Sequence, residues 1–129
     1  MNNNSMISLI IDATKELVFL KIISNKESYT KVYLNSRENF DKFGLILFNF
    51  LKSNKLKIHE ITNIFVNIGP GNFSGIRASV SACKALSISQ KINLYGFTSS
   101  QINNTNYNKL LDLLRKEVLI KNLIKPIYK

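Results

Sequence analysis

Apolar positions along the chain fall into short runs separated by polar turns, and the period of the runs changes as the chain proceeds. Ser-Leu-Ile-Ile-Asp at residues 8–12 reads as a short apolar strand that ends in a carboxylate. Residues 17–23 alternate in part, with Leu17, Phe19 and Ile22 or Ile23 interrupted by Lys21. Residues 29–34 alternate less cleanly, but their β-branched and aromatic content favours a third strand. The connections at 13–16 and 24–27 are short, which predicts an antiparallel meander. The period then becomes helical. Phe40, Phe43, Leu47 and Leu51 form a core stripe on a helix predicted over 40–53. Leu45, Ile46, Phe48 and Phe50 lie off that stripe, so this helix is apolar on more than one side and needs more than one cover.

A second apolar run, 64–68, reads as a buried strand and is followed by Gly69-Pro70-Gly71-Asn72-Phe73-Ser74-Gly75-Ile76-Arg77. Residues 78–90 lack Gly and Pro and read as a helix, so the stretch is a strand, a glycine turn and a helix start. Glycine permits backbone angles closed to other residues and lets a neighbour approach the main chain. Ser74 is placed to cap the helix. A helix start of this kind can hold an anion. The named phosphate loops do not fit, however. No Lys follows Gly75, and three residues rather than two separate Gly71 from Gly75. The plain alternative is a tight turn that packs a helix onto a strand. Arg77 falls in the expected first helical turn, where the dipole disfavours a cation by roughly 0.3–1 kcal/mol, which points to a partner for its charge. On the helix itself Ile76, Val80 and Cys83 share one face, Ala78, Ala82, Ala85 and Leu86 a second, and Arg77 and Lys84 a third. Small residues let the second face approach another helix closely.

After a fifth strand at 94–97 the chain is polar and rich in Asn to residue 107, and then a last helix is expected over 109–123 with Pro126 as its stop. The elements predict an α/β fold, a five-stranded mixed sheet with flanking helices, three antiparallel strands preceding two parallel ones.

The glycine stretch resembles a known signature. Over nine consecutive positions it matches Gly-Pro-Gly-Ser-Phe-Thr-Gly-Leu-Arg of the TsaB (YeaZ) family, with only Ser/Asn, Thr/Ser and Leu/Ile exchanges. The resemblance implies a sheet of ribonuclease-H or actin-like ATPase type. It implies a non-catalytic subunit that binds TsaD, and through it TsaE, and supports threonylcarbamoyladenosine modification of tRNA, with tRNA touched only indirectly. Members of the family open on Ile-Asp-Thr; here the run is Ile11-Asp12-Ala13-Thr14. In actin-like ATPases this turn is the first phosphate loop, but its usual glycine is missing here. An Asp that caps the hairpin is the other reading of Asp12.

Full-length relatives carry a second lobe, so this chain resembles a short form: a single domain over 1–129, with the first lobe at 6–98, a linker at 99–108 and a closing helix and tail at 109–129. Pro126-Ile127-Tyr128-Lys129 resembles the family's Pro-x-Tyr-Leu-Arg ending. The loop and strand-end set is then Asp12, Thr14, Gly69, Gly71, Asn72, Ser74, Gly75 and Arg77. The expected partner surface is Leu45, Ile46, Phe48, Ala78, Ala82 and Lys84, which would meet TsaD or a second copy of the chain. The alternative is a small-anion or nucleotide-binding module that uses the loop N–H groups, Arg77 and Asp12.

Composition adds exclusions. His59 is the sole histidine and sits in a polar setting, and residues 38–42 lack the His pair that resembles the TsaD metal site, so neither a metal nor a cofactor is expected. One His also leaves no Ser-His-Asp or Cys-His set to assemble. Cys83 is alone, which rules out an internal disulfide and fits a reducing, cytoplasmic setting. No apolar run reaches the roughly 18 residues needed to span a bilayer. Net charge is +10, from 18 basic and 8 acidic residues. The surplus would favour nucleic acid, yet the basic residues are nearly all Lys spread along the chain, as Lys-, Asn- and Ile-rich composition alone would produce.

Overall fold

Strand β1 (Ser8–Asp12) is buried at every position, as is β4 (Asn63–Asn67), and that double burial places both in the middle of a sheet covered on its two faces. In the computed structural model, which describes residues 6–25, 27–122 and 127, the sheet has six strands in the order β3-β2-β1-β4-β5-β6. Strands β2 (Leu17–Ile23) and β3 (Ser28–Leu34) complete the expected antiparallel meander. Strand β5 (Asn93–Phe97) runs parallel to β4, and β4 parallel to β1. The mixed α/β sheet anticipated from the apolar runs is therefore present, with one strand more than expected.

The extra strand is β6 (Ile120–Lys121), which pairs antiparallel with β5 through Tyr95–Lys121 and Gly96–Ile120. It replaces the second half of the helix expected over 109–123. Helix α4 (Lys109–Arg115) stops early, and Glu117 turns the chain at φ 57°. The N–H of Asn122 then donates to Leu94 O at 2.7 Å. The open edge of β5 offers backbone partners that a continued helix would leave unmet. Of the expected tail, only Ile127 lies within the described residues, and its N–H donates to Ile68 O.

The helix expected over 40–53 is two helices. Ser36 caps α1 (Arg37–Asp41) by accepting from the Asn39 N–H. Lys42 then departs from helical angles (φ −103°, ψ 9°) before α2 (Phe43–Ser53) begins. The inward stripe of α2 is Phe43, Leu47, Phe50 and Leu51, so Phe50 belongs to the chain's own core rather than to an outer face. Helix α3 spans Phe73–Gln90, five residues earlier than the glycine-free run suggests.

Two apolar clusters fill the layers. On one face Leu9, Ile11, Ile64 and Val66 meet Leu47 and Leu51 of α2 and Ile76, Val80 and Cys83 of α3. On the other, Ile10, Phe65 and Phe97 meet Ile102, Tyr107 and Leu110. The segment expected as a linker thus supplies Ile102 and Tyr107 to the core, and it contains a 3₁₀ helix, Ser99–Ile102. Thr98 and Gln101 cap that turn reciprocally, Gln101 Oε1 accepting from the Thr98 N–H at 2.9 Å.

Candidate functional site

Parallel pairing brings the C-terminal ends of β1 and β4 side by side, and each ends in a polar residue on the same face: Asp12 and Asn67. Asp12 is 2% exposed and has no cation partner among the described residues. Four donors surround its carboxylate instead. Oδ1 accepts from the N–H and the hydroxyl of Thr14 at 3.1 and 2.7 Å. Oδ2 accepts from the Tyr107 hydroxyl at 2.7 Å and from Asn67 Nδ2 at 3.2 Å. Such bonds to the charged form offset its desolvation. Asn67 Nδ2 also donates to Ser99 Oγ at 2.9 Å, and its Oδ1 accepts from the Gly69 N–H at 3.0 Å. Burial, then the Asp12 charge and hydrogen bond, push the Tyr107 hydroxyl well above the ordinary tyrosine range.

The glycine loop packs directly on this network. Gly69 has φ 108°, a region that favours glycine, and the Gly69–Pro70 peptide is cis. A side chain at Gly69 would meet the Ile127 carbonyl and Ile76; at Gly71, the Thr14 carbonyl and side chain; at Gly75, the Ala13 carbonyl and Asn35. The loop is pinned there by the Asn72 N–H, which donates to Thr14 O at 2.8 Å. Asn35 Nδ2 braces the same turn by donating to Ala13 O and Lys15 O at 2.8 and 2.7 Å. The protein's own backbone thus fills the space beside these glycines.

The cap of α3 is Asn72, whose Oδ1 accepts from the Gly75 N–H at 2.8 Å, and not Ser74, which is exposed inside the first turn. The earlier helix start carries Arg77 into the second turn, beyond the strongest part of the dipole. Its guanidinium lies 6.0 Å from the centroid of the Phe73 ring, at the outer limit of a cation–π contact.

The residues expected at a partner surface lie on α2 and α3. Leu45 and Phe48 are 59% and 60% exposed, while Ile46, Ala78, Ala82 and Lys84 are half-buried. Between the helices runs an apolar groove of about 350 Å³, lined in part by Phe43, Leu47, Phe48, Leu51, Ala82 and Leu86. Phe48 and Ala82 meet in this groove; Leu45, Ile46, Ala78 and Lys84 stand outside its lining. Among the described residues no group of His, Cys, Asp and Glu could hold a metal ion, and no helix is long and apolar enough to cross a membrane. Sequence reasoning missed Asn67, Ser99, Tyr107 and Asn35. The one available signal was Asn67 itself, a polar residue inside an apolar run.

Comparison with known proteins follows this geometry. Residues 33–108, more than half of the chain and including the whole glycine loop, match the family model TsaD: tRNA N6-adenosine threonylcarbamoyltransferase. A similar protein is the tRNA threonylcarbamoyladenosine biosynthesis protein TsaB of Buchnera aphidicola subsp. Schizaphis graminum, 26% identical over 98 residues, which are 76% of this chain and 47% of that one. Among solved structures, YeaZ from Pseudomonas aeruginosa superposes with a TM-score of 0.69 at 13% identity, covering 87% of this chain and 50% of that one. A second structure, of a protein described as similar to peptidase YeaZ from Pseudomonas aeruginosa, gives 0.67 at 14% identity over 72% of this chain and 43% of the other. The chain spans about half the length of the relatives it matches. The sheet is that of the ribonuclease-H and actin-like ATPase proteins, and the chain belongs to the TsaD family, on its TsaB (YeaZ) branch.

Proposed function

We propose that the chain is a non-catalytic scaffold or activator subunit that docks on TsaD, and through it on TsaE, and so supports threonylcarbamoyladenosine modification of tRNA. The name of the Buchnera relative supports the process. The observation that carries the docking role is the groove between α2 and α3, apolar along nearly all of its lining and flanked by the exposed side chains of Leu45 and Phe48. Apolar patches of this kind mark interaction surfaces, and two helices with a groove between them suit a helical partner. Asp12 supports a structural role for the strand ends, because four donors of the protein itself already occupy its carboxylate.

The alternative, a small-anion or nucleotide-binding module built on residues 69–77, has less behind it. Ile127, Thr14 and Ala13 take the space beside the three loop glycines, and the Gly75 N–H is already bonded to Asn72.

Co-purification with TsaD of the same organism tests the proposal. Wild type is expected to co-purify. Phe48→Asp and Leu45→Glu should lose the partner while melting at the wild-type temperature, since both side chains lie outside the core. Undiminished capture by Phe48→Asp would overturn the assignment of the surface. A wild-type chain that binds no TsaD and scatters light as a clean monomer would overturn docking altogether.

A further inference from the structure

At the end of the sheet opposite Asp12, a cavity of about 260 Å³ opens between the start of β1, the end of β2 and the last turn of α4. Its apolar walls are Ile23, Leu111 and Leu114, its polar lining includes Ser8, Ser24 and Arg115, and none of its lining residues is acidic. Ser24 is committed to the β2–β3 turn, where its hydroxyl donates to Glu27 O and accepts from the Glu27 N–H. Ser8 is not committed: it is 1% exposed, and its hydroxyl has no hydrogen-bond partner among the described residues. A buried hydroxyl left unpaired is costly, so a partner that enters the cavity would be rewarded. Arg115 is also under-used. Among the described residues its guanidinium reaches only Asp112, at 3.4 Å, and both side chains are largely exposed, which makes the pair weak.

We propose that this cavity binds a short organic carboxylate that carries a second oxygen, as an oxo or hydroxy acid does. The planar guanidinium fork of Arg115 matches the two oxygens of a carboxylate. Asn25 adds a neutral amide to the lining, but Arg115 is its one charged residue, and a single positive charge suits a monoanion better than a phosphate dianion. The C-terminal end of α4 disfavours an anion close to its axis, so the carboxylate sits outward on Arg115 and the carbon chain lies inward against Ile23, Leu111 and Leu114. The second oxygen then accepts from the Ser8 hydroxyl at the floor. The volume is below the roughly 300–1,000 Å³ of drug-sized sites, which limits the ligand to a few carbon atoms.

Titrations of the full chain followed by amide chemical shifts test this with 4-oxopentanoate, pentanoate and 4-oxopentanamide as probes. Saturable shifts are expected at Ser8, Ile23 and Leu114, with 4-oxopentanoate the tightest. Arg115→Gln should weaken both acids about tenfold and leave the amide unchanged. Ser8→Ala removes no bond to any described residue, so it should fold as wild type does, and it should erase the preference for 4-oxopentanoate over pentanoate. The proposal is overturned if no saturable shift develops at these residues at tens of millimolar. It is equally overturned if Arg115→Gln binds as wild type does, or if Ser8→Ala keeps the preference.

Discussion

The hydroxyl of Tyr107 donates to Oδ2 of Asp12 across 2.7 Å, although 95 positions separate the two residues in the chain. That bond ties the segment after β5 back onto the end of β1, above the point where the glycine loop leaves β4. Asn67 completes the tie by bonding Asp12, Ser99 and the Gly69 N–H at once. The strand ends, the loop and the closing segment thus share one buried polar cluster.

Removing the tyrosine hydroxyl should be felt in the fold. Tyr107→Phe deletes a donor to a buried carboxylate, and hydrogen bonds to charged groups contribute roughly 1.5–3 kcal/mol. The expected outcome is a loss of that size in urea unfolding at neutral pH. The same variant tests the pH dependence. Tyr107 is held above its ordinary value of 10.0, and burial pushes Tyr33 up to about 12. Above pH 10 the unfolded chain gives up tyrosine protons that the folded chain keeps, so the folded state binds more protons and stability falls as pH rises. The contribution is fully present below pH 10, and Tyr107→Phe should fall less steeply than wild type above it.

The glycines should divide by their surroundings. A Cβ at Gly71 would run into the backbone and side chain of Thr14, whereas one at Gly44 in α2 meets nothing within 4 Å. Gly71→Ala should therefore lower the melting temperature, and Gly44→Ala should leave it unchanged or raise it slightly, because Gly44 is the second residue of α2, where only part of the helix-interior preference for Ala over Gly, about 0.5–1 kcal/mol, applies. Thermal melts of the two variants side by side check the contrast; equal losses would contradict the close packing of the loop.

Arg77 should matter more to assembly than to folding. It is exposed and lies over the Phe73 ring, so Arg77→Ala should change stability by no more than about 0.5–1 kcal/mol. If the proposed TsaD surface extends to this side of α3, complex formation should weaken by roughly 2–5 kcal/mol, as for truncation of one member of a desolvated charge pair. Melting curves and pull-downs on one preparation separate the two effects. An early melt, or full retention of TsaD, contradicts the assignment.

Cys83 should be silent to thiol reagents in the native protein. It is fully buried in the cluster beneath α3, and burial raises its thiol far above the ordinary value, which removes the reactive thiolate. Labelling by an aromatic disulfide should proceed only as fast as the chain opens and should accelerate in urea. Rapid stoichiometric labelling without denaturant would contradict this burial.

Much of this protein was legible in the order of its residues. Strands β1 and β2 begin and end where the apolar runs do, and the glycine loop sits between a strand and a helix, as its composition required. Periodicity and backbone sterics are local properties, so a window of a few residues carries them. The groove residues Phe48 and Ala82 were also visible, as apolar or small positions off the core stripe.

Tertiary structure decided the rest. Residues 118–121 read as helix until the open edge of β5 is present to receive β6, because backbone pairing at a sheet edge outweighs weak propensity. Phe50 is an exception: it follows Phe43 by seven residues and Leu47 by three, so the helical period alone places it on the inward stripe of α2. The polar cluster depends on contacts across 55 and 95 positions, Asp12 with Asn67 and with Tyr107. No period or spacing encodes such bonds; they form because burying the end of β1 leaves its carboxylate needing donors, and only the folded sheet brings Asn67 and Tyr107 within reach.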